Sequence, residues 1–424
     1  MKRSVMFCWL AICALLLWGR DFREVFCDST LRLDYIFSAS DGQVNLSLSC
    51  QTKTSGWAGR RHGLNELPRL GNGVITVIEA SSGDTIYRNS FSSLFSEWLR
   101  DPESTTSLSF ENSFLVPLPR TKSKVEIQIL DAYHRSIGKM SHVYDPADVL
   151  IVDRTSAKPQ NHRYIHRSSD ASSAIDVAIV AEGYREQEMD SFYRHAEVAV
   201  EAILSHEPFT EMADRFNFVA VATPSVDSGV SVPRLSEWKN TACKSHFSTF
   251  YSDRYLTTNS LHTVHELLNG IPYEHIIILA NTDEYGGGGI YNSYTLTTAR
   301  HPMFRPVVVH EFGHSFGGLA DEYFYENDVM TDTYPLDVEP WEPNITTLVD
   351  FGSKWERLIP EGTPRPTPVD MAEAYPVGLY EGGGYSFKRI YRPADVCRMR
   401  NNKVKGFCQA CQESLRSLIR FYTE

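Results

Sequence analysis

Basic residues are in short supply: 41 Lys and Arg stand against 53 Asp and Glu, a formal net charge of -12. A protein that tracks nucleic acid needs clustered Lys and Arg to neutralise phosphates, so nucleic acid is not expected as a partner. Beyond the N-terminus no apolar run approaches the roughly 20 residues that span a bilayer, which removes stable membrane insertion from the expectations for the body of the chain. Internal repeats and long low-complexity tracts are also missing, which excludes solenoid and array architectures. Cysteine is sparse. The single CxxC, Cys408-Gln409-Ala410-Cys411, has no matching pair elsewhere, so a zinc knuckle made of two such pairs is excluded.

What is present can build a sizeable core, with 42% hydrophobic and 22% charged residues in 424, enough for two domains or one elaborated domain. Lys2 and Arg3 precede an apolar run from Val5 to Trp18, followed by Arg20, Asp21, Arg23 and Glu24. That pattern reads as a secretory signal over residues 1–26 and predicts a secreted, extracytoplasmic protein; an uncleaved anchor is the alternative. Its removal would leave Cys27, Cys50, Cys243, Cys397, Cys408 and Cys411, an even number that suits an oxidising compartment. Cys27 with Cys50 is the favoured disulfide. Cys408 and Cys411 read as further disulfide partners, one joined to Cys397 and the other to Cys243.

Residues 27–152 show short alternating or apolar runs, among them Val44 to Cys50, Gly73 to Ala80 and Lys124 to Leu130, punctuated by Gly, Ser, Asp and Asn. This rhythm predicts an all-β, sandwich-like domain. Residues 153–173, poor in apolar side chains, read as a linker. From 174 to 424 strands alternate with helices: Ile175 to Ala181, Phe216 to Ala222 and His275 to Ala280 as strands, Glu186 to Leu204, Asn259 to Leu268 and Gln409 to Tyr422 as helices. The expectation is an α/β (α+β) domain.

The chemistry concentrates in His310-Glu311-Phe312-Gly313-His314-Ser315-Phe316-Gly317-Gly318-Leu319-Ala320-Asp321-Glu322-Tyr323. Residues four apart share a helix face, so His310 and His314 can aim two imidazoles at one Zn2+ ion, with Glu311 beside them as general base toward the water that zinc acidifies. A catalytic zinc takes three protein ligands and leaves a position open. Ala320 occupies the place where the HExxHxxGxxH pattern puts its third ligand. Asp321, one residue later, is the favoured third ligand, and Glu322 its main competitor. Either requires the chain to turn at Gly317 and Gly318, since an unbroken helix would carry Asp321 about 10 Å past His314.

The stretch at 310–323, together with YEGGGYSFKRIYRP at 380–393 and CRMR at 397–400, resembles the family of the IgA-cleaving zinc metallopeptidase (M64). The resemblance implies a metzincin-like catalytic domain behind a β-rich one, a polypeptide substrate, and Met399 as a Met-turn beneath the metal. IgA specificity belongs to one family member and does not transfer. Tyr385 and Tyr391 are candidate oxyanion donors. The Gly286 to Gly289 run could lie against an extended substrate as an edge strand. Two other readings stay open: a zinc amidohydrolase of a non-protein substrate, and a non-catalytic secreted interaction protein with a peptidase fold.

Overall fold

The computed structural model of the chain describes residues 21–40, 42–101, 107–171, 173–324 and 334–424. The apolar run from Val5 to Trp18 lies outside the described residues. No described helix is long and apolar enough to cross a membrane.

The N-terminal part runs α1 (Phe22–Val25), β1 (Phe26–Ser40), β2 (Gln43–Ser55), β3 (Gly73–Glu79), β4 (Thr85–Phe91), α2 (Leu94–Trp98), β5 (Leu108–Pro119), β6 (Ser123–Leu130), β7 (Ser136–Tyr144) and β8 (Val152–Asp153). Two four-stranded sheets result, ordered β5-β1-β2-β8 and β4-β3-β6-β7. Alternation along β6 puts Val125, Ile127 and Ile129 inward, and Leu31, Leu33, Tyr35 and Phe37 of β1 join the same core. Contacts such as Phe91 of β4 against Phe114 of β5, ring centroids 4.3 Å apart, close one sheet over the other. The Cys27–Cys50 pairing is corrected by the strand register. Cys50 sits opposite Asp34, seven residues along β1 from Cys27, roughly 23 Å away. All six cysteines among the described residues are free.

The second part is mixed α/β. Strands β9 (His162–His166), β10 (Ile175–Glu182), β11 (Phe216–Val221), β12 (His275–Ala280), β13 (Gly287–Ile290) and β14 (Tyr294–Thr298) form a six-stranded sheet ordered β13-β14-β12-β10-β11-β9. β10, β11, β12 and β14 run parallel, whereas β13 and β9 are antiparallel edges. Every residue of β10, β11 and β12 is buried, which is why these strands read as largely apolar runs. α3 (Met189–Leu204), α4 (Leu261–Leu267), α5 (Phe304–Ser315), the hairpin β15 (Tyr380–Gly383) and β16 (Ser386–Arg392), and the C-terminal α6 (Gln409–Thr423) complete the fold. β9 lies within the stretch read as a linker. It escapes notice because it pairs with β11 through backbone and packs with little apolar surface, Arg163 covering the Tyr193 ring 3.9 Å from its centroid.

The two parts meet over a broad polar and apolar seam. Arg32 of β1 pairs with Glu266 of α4 at 2.9 Å, and Tyr255 donates to Glu97 of α2. Arg69, in the connection between β2 and β3, reaches furthest: it donates to Gly317 O at 3.1 Å and to Ser414 O at 3.1 Å. Truncating it strands two carbonyls, so Arg69→Ala is expected to cost about 1–3 kcal/mol, read as a lower denaturation midpoint. Glu274 lines a cavity at the same seam with Trp57 and Tyr87. Burial, and behind it the nearby Asp176 carboxylate, push its pKa to about 8 from an ordinary 4.5. The folded chain therefore holds a proton that the unfolded chain releases, and stability drains away as pH rises from about 4.5 to about 8. Glu274→Gln should raise the melting temperature at about pH 8 and leave it unchanged at about pH 4 by calorimetry.

Candidate metal centre

Helix α5 enters through Pro306, tolerated in the first turn where its missing N–H has no helical partner, and an apolar Val307, Val308, Val309 run. Phe312 and Phe316 stack at 5.2 Å on the core side, with Phe209 against both. The opposite face therefore carries His310, Glu311 and His314. β13 lies so close to that face that a Cβ on Gly289 would stand 2.3 Å from Glu311 O and 2.8 Å from His314 Cβ. The glycine run thus serves helix–strand packing first. Its outer edge is only partly open, because Tyr255 bridges to Gly287 from the other side.

Just past the end of α5 the chain reverses at Gly318, whose φ of +60° is a left-handed conformation that glycine adopts without penalty. Leu319 N donates back to Gly313 O at 3.1 Å, and the reversed chain brings Leu319 O to His314 Nδ1 at 2.6 Å. His310 Nδ1 donates to Arg398 O at 3.0 Å. A carbonyl can only accept, so both histidines keep a proton on Nδ1, which leaves Nε2 as the atom turned toward the site.

Asp321 meets them there. Its Oδ1 lies 3.1 Å from His310 Nε2 and 3.3 Å from His314 Nε2, which are themselves 3.1 Å apart. Three ligating atoms converge, and the two imidazoles are the only neighbours in reach of Asp321 Oδ1 among the described residues. A shared cation reconciles them. Tetrahedral zinc with bonds of about 2.0–2.1 Å holds its ligand atoms roughly 3.3–3.4 Å apart, so this triangle matches one face of the polyhedron. The electrostatics agree. Burial opposes charge on the imidazoles, yet Asp321 overcomes it, raising His310 and raising His314 to about 9; Asp321, despite its own burial, is held well below the usual carboxylate range by them. The trio concentrates affinity for positive charge.

Glu311, one residue from the first histidine, is half-buried and makes no hydrogen bond or ion pair to a described residue. Burial raises its pKa while the two imidazoles pull it down. Met399 is wholly buried, its Sδ 2.8 Å from where a Cβ on Gly313 would lie, so it sits beneath the helix between the two histidines. Tyr385 is placed differently from an oxyanion donor: its hydroxyl donates to Asp321 Oδ2. Its backbone, at φ +66°, is held by Tyr385 N to Tyr323 O at 3.0 Å and by Gly384 N to Asp321 O at 2.8 Å. Tyr391 is half-buried against the apolar core and bridges Thr346 through its backbone; among the described residues its hydroxyl makes no bond to the site. Glu322 points away from the histidines toward Cys411 and Asn344. The partnership of Cys408 and Cys411 with Cys243 is corrected as well. Cys243 lies in a different core, with its amide on Glu182.

Tyr385 was singled out by its motif, but with a different role, because its contact with Asp321 is made across the fold. Arg398, whose carbonyl orients His310, was hidden because the contact is made by backbone.

Fold and site together give a mixed α/β domain whose side chains can hold a metal. Residues 164–375 match the model of the IgA peptidase M64 family, and residues 21–141 match that of the peptidase M64 N-terminus. The chain belongs to this family of metallopeptidases. No curated protein matches it.

Because Tyr385 aims the carboxylate, Tyr385→Phe should weaken metal affinity by about 10–100-fold, measured by chelator competition. His310 and His314 stay in place in that variant, so unchanged affinity would refute the positioning role.

Proposed function

We propose that this protein is a secreted, zinc-dependent endopeptidase of metzincin-like build that hydrolyses peptide bonds with water as nucleophile and Glu311 as general base. The observation that carries the reading is the convergence of His310 Nε2, His314 Nε2 and Asp321 Oδ1 within 3.3 Å of one another, with the free carboxylate of Glu311 on the same helix. The antiparallel edge strand β13 beside α5, the buried Met399 under it, and the order β13-β14-β12-β10-β11 support the metzincin-like architecture. The N-terminal pattern of Lys2, Arg3 and the Val5 to Trp18 run supports secretion.

The residues would act as follows. His310, His314 and Asp321 hold the ion, and the ion supplies Lewis acidity that polarises the scissile carbonyl and acidifies water. Glu311 accepts the proton of the attacking water and returns it to the departing amine, a role suited to a carboxylate whose burial lifts its basicity. Arg398 O and Leu319 O keep both imidazoles in the tautomer that offers Nε2. Tyr385 fixes which oxygen of Asp321 faces the site. No covalent intermediate is needed.

Glu311→Gln should retain stoichiometric zinc and lose about 10²–10⁴-fold of the cleavage rate on a mixed denatured-protein substrate, while a chelator abolishes cleavage by the unmodified enzyme. Full activity in the variant would refute the general base. Hydrolysis of non-peptide amides with no protein cleaved would overturn the peptidase reading. Secretion is checked by the N-terminal sequence of protein recovered from the medium, expected to begin near residue 27.

A further inference from the structure

A second cluster of ligating side chains lies behind the first. We infer that Cys397, Cys408, Cys411 and Glu322 form a closed structural metal site for zinc, separate from the histidine site and independent of the peptidase reading. The four come from three segments: Glu322 just past the glycine turn, Cys397 two residues before Met399, and the CxxC pair at the start of α6, with Cys408 as its N-cap. All four are buried, and their ligand atoms lie within 4.8 Å of one another.

The spacing favours a metal over a disulfide. Cys397 Sγ and Cys411 Sγ stand 3.8 Å apart, whereas a disulfide needs about 2.05 Å. Tetrahedral zinc with sulfur at about 2.3 Å separates two sulfurs by roughly 3.8 Å. Glu322 Oε1 lies 3.1 Å from Cys411 Sγ, on the same small polyhedron. Three thiols cannot pair off, and any one disulfide leaves an odd thiol beside a buried carboxylate.

Glu322 supplies an independent sign. It is wholly inaccessible, and Oε2 has no hydrogen-bond partner. Oε1 accepts from Asn344 Nδ2 at 3.0 Å, but no Lys or Arg among the described residues forms an ion pair with Glu322. Arg392, the nearby cation, spends its guanidinium on Glu381 O, Gly382 O, Ala394 O and Asp395. A carboxylate so enclosed must be neutralised, by a proton or by a cation, and the three sulfur atoms beside it form with it a ligand set for a cation. The amide of Cys408 donates to Cys397 Sγ at 3.4 Å, and the N-terminal end of α6 faces the cluster. Three soft thiolates and one carboxylate suit zinc, and four protein ligands leave no open position, the mark of a structural site. Binding is redox-neutral: each ligating thiol releases its proton to solvent as the metal enters.

Such an ion would clamp the parts on which the first site relies. Glu322 follows Asp321 directly, and its amide donates to Met399 O at 2.9 Å. Cys397 anchors the turn whose Arg398 carbonyl orients His310.

The test begins with the full-length His310→Ala/His314→Ala variant, which lacks the first site. Expressed with zinc, it is expected to retain one equivalent by elemental analysis, against two for the unmodified protein. Its zinc-edge X-ray absorption should show about three sulfur neighbours near 2.3 Å. Cys408→Ser/Cys411→Ser should lose one of the two equivalents and melt at lower temperature; if it fails to fold, the histidine variant decides alone. Absence of zinc from the histidine variant, zinc surrounded only by nitrogen and oxygen, or a disulfide among the three cysteines in a non-reducing peptide map would each overturn the proposal.

Discussion

The reversal of the chain at Gly318 is the constraint on which the rest of this protein depends. A helix can present two histidines on one face, but it cannot by itself return a carboxylate to that face. The left-handed turn does so, and the reversed strand is then used at successive positions: Leu319 O orients His314, Asp321 completes the triangle, and Glu322 turns into the cysteine cluster. Each role needs the same few dihedral angles. A side chain at residue 318 would strain that conformation and would also approach Trp341 and Tyr291 closely.

Charge inside the protein is confined to places where geometry offsets its desolvation. Asp321 and Glu322 are adjacent in sequence and both buried, yet they serve opposite sides of the backbone and different ligand sets. Glu182 shows a third solution: its carboxylate accepts from Thr241 Oγ1 and from the amides and hydroxyl of Cys243 and Ser245, all within 2.8 Å, which pins the loop leading toward Tyr255. Buried polar networks of this kind are stable only when nearly every atom is matched, and Asp321 Oδ1 and Glu322 Oε2 are among the buried atoms left without a hydrogen bond.

Much of the architecture was legible because its signals are local. The apolar runs of β10 and β12 and the amphipathic spacing of α3 and α6 mark elements whose burial follows their own residues. The pairing of His310 and His314 is local too, one helical turn. What lay hidden depends on distant partners. β9 has little apolar character and exists because a neighbouring strand offers backbone bonds. The place of Tyr385 beside Asp321 spans 64 residues, and the meeting of Cys397 with Glu322 is invisible to any spacing rule. The pairing proposed for Cys27 and Cys50 failed for a related reason: nearness in sequence suggested contact, whereas an antiparallel hairpin carries its two ends apart from its middle.

The reach of Arg69 gives the molecule a timetable. It joins the N-terminal part to Gly317 across 248 residues and to Ser414 across 345, and the second contact closes only after α6 has been made. A growing chain can form the β-sandwich early and the helix with its histidines later, but the bolt that fixes the end of that helix arrives with the last segment. The tie between the two parts is thereby completed only when nearly the whole chain is present, and a chain cut short before residue 414 would lack it.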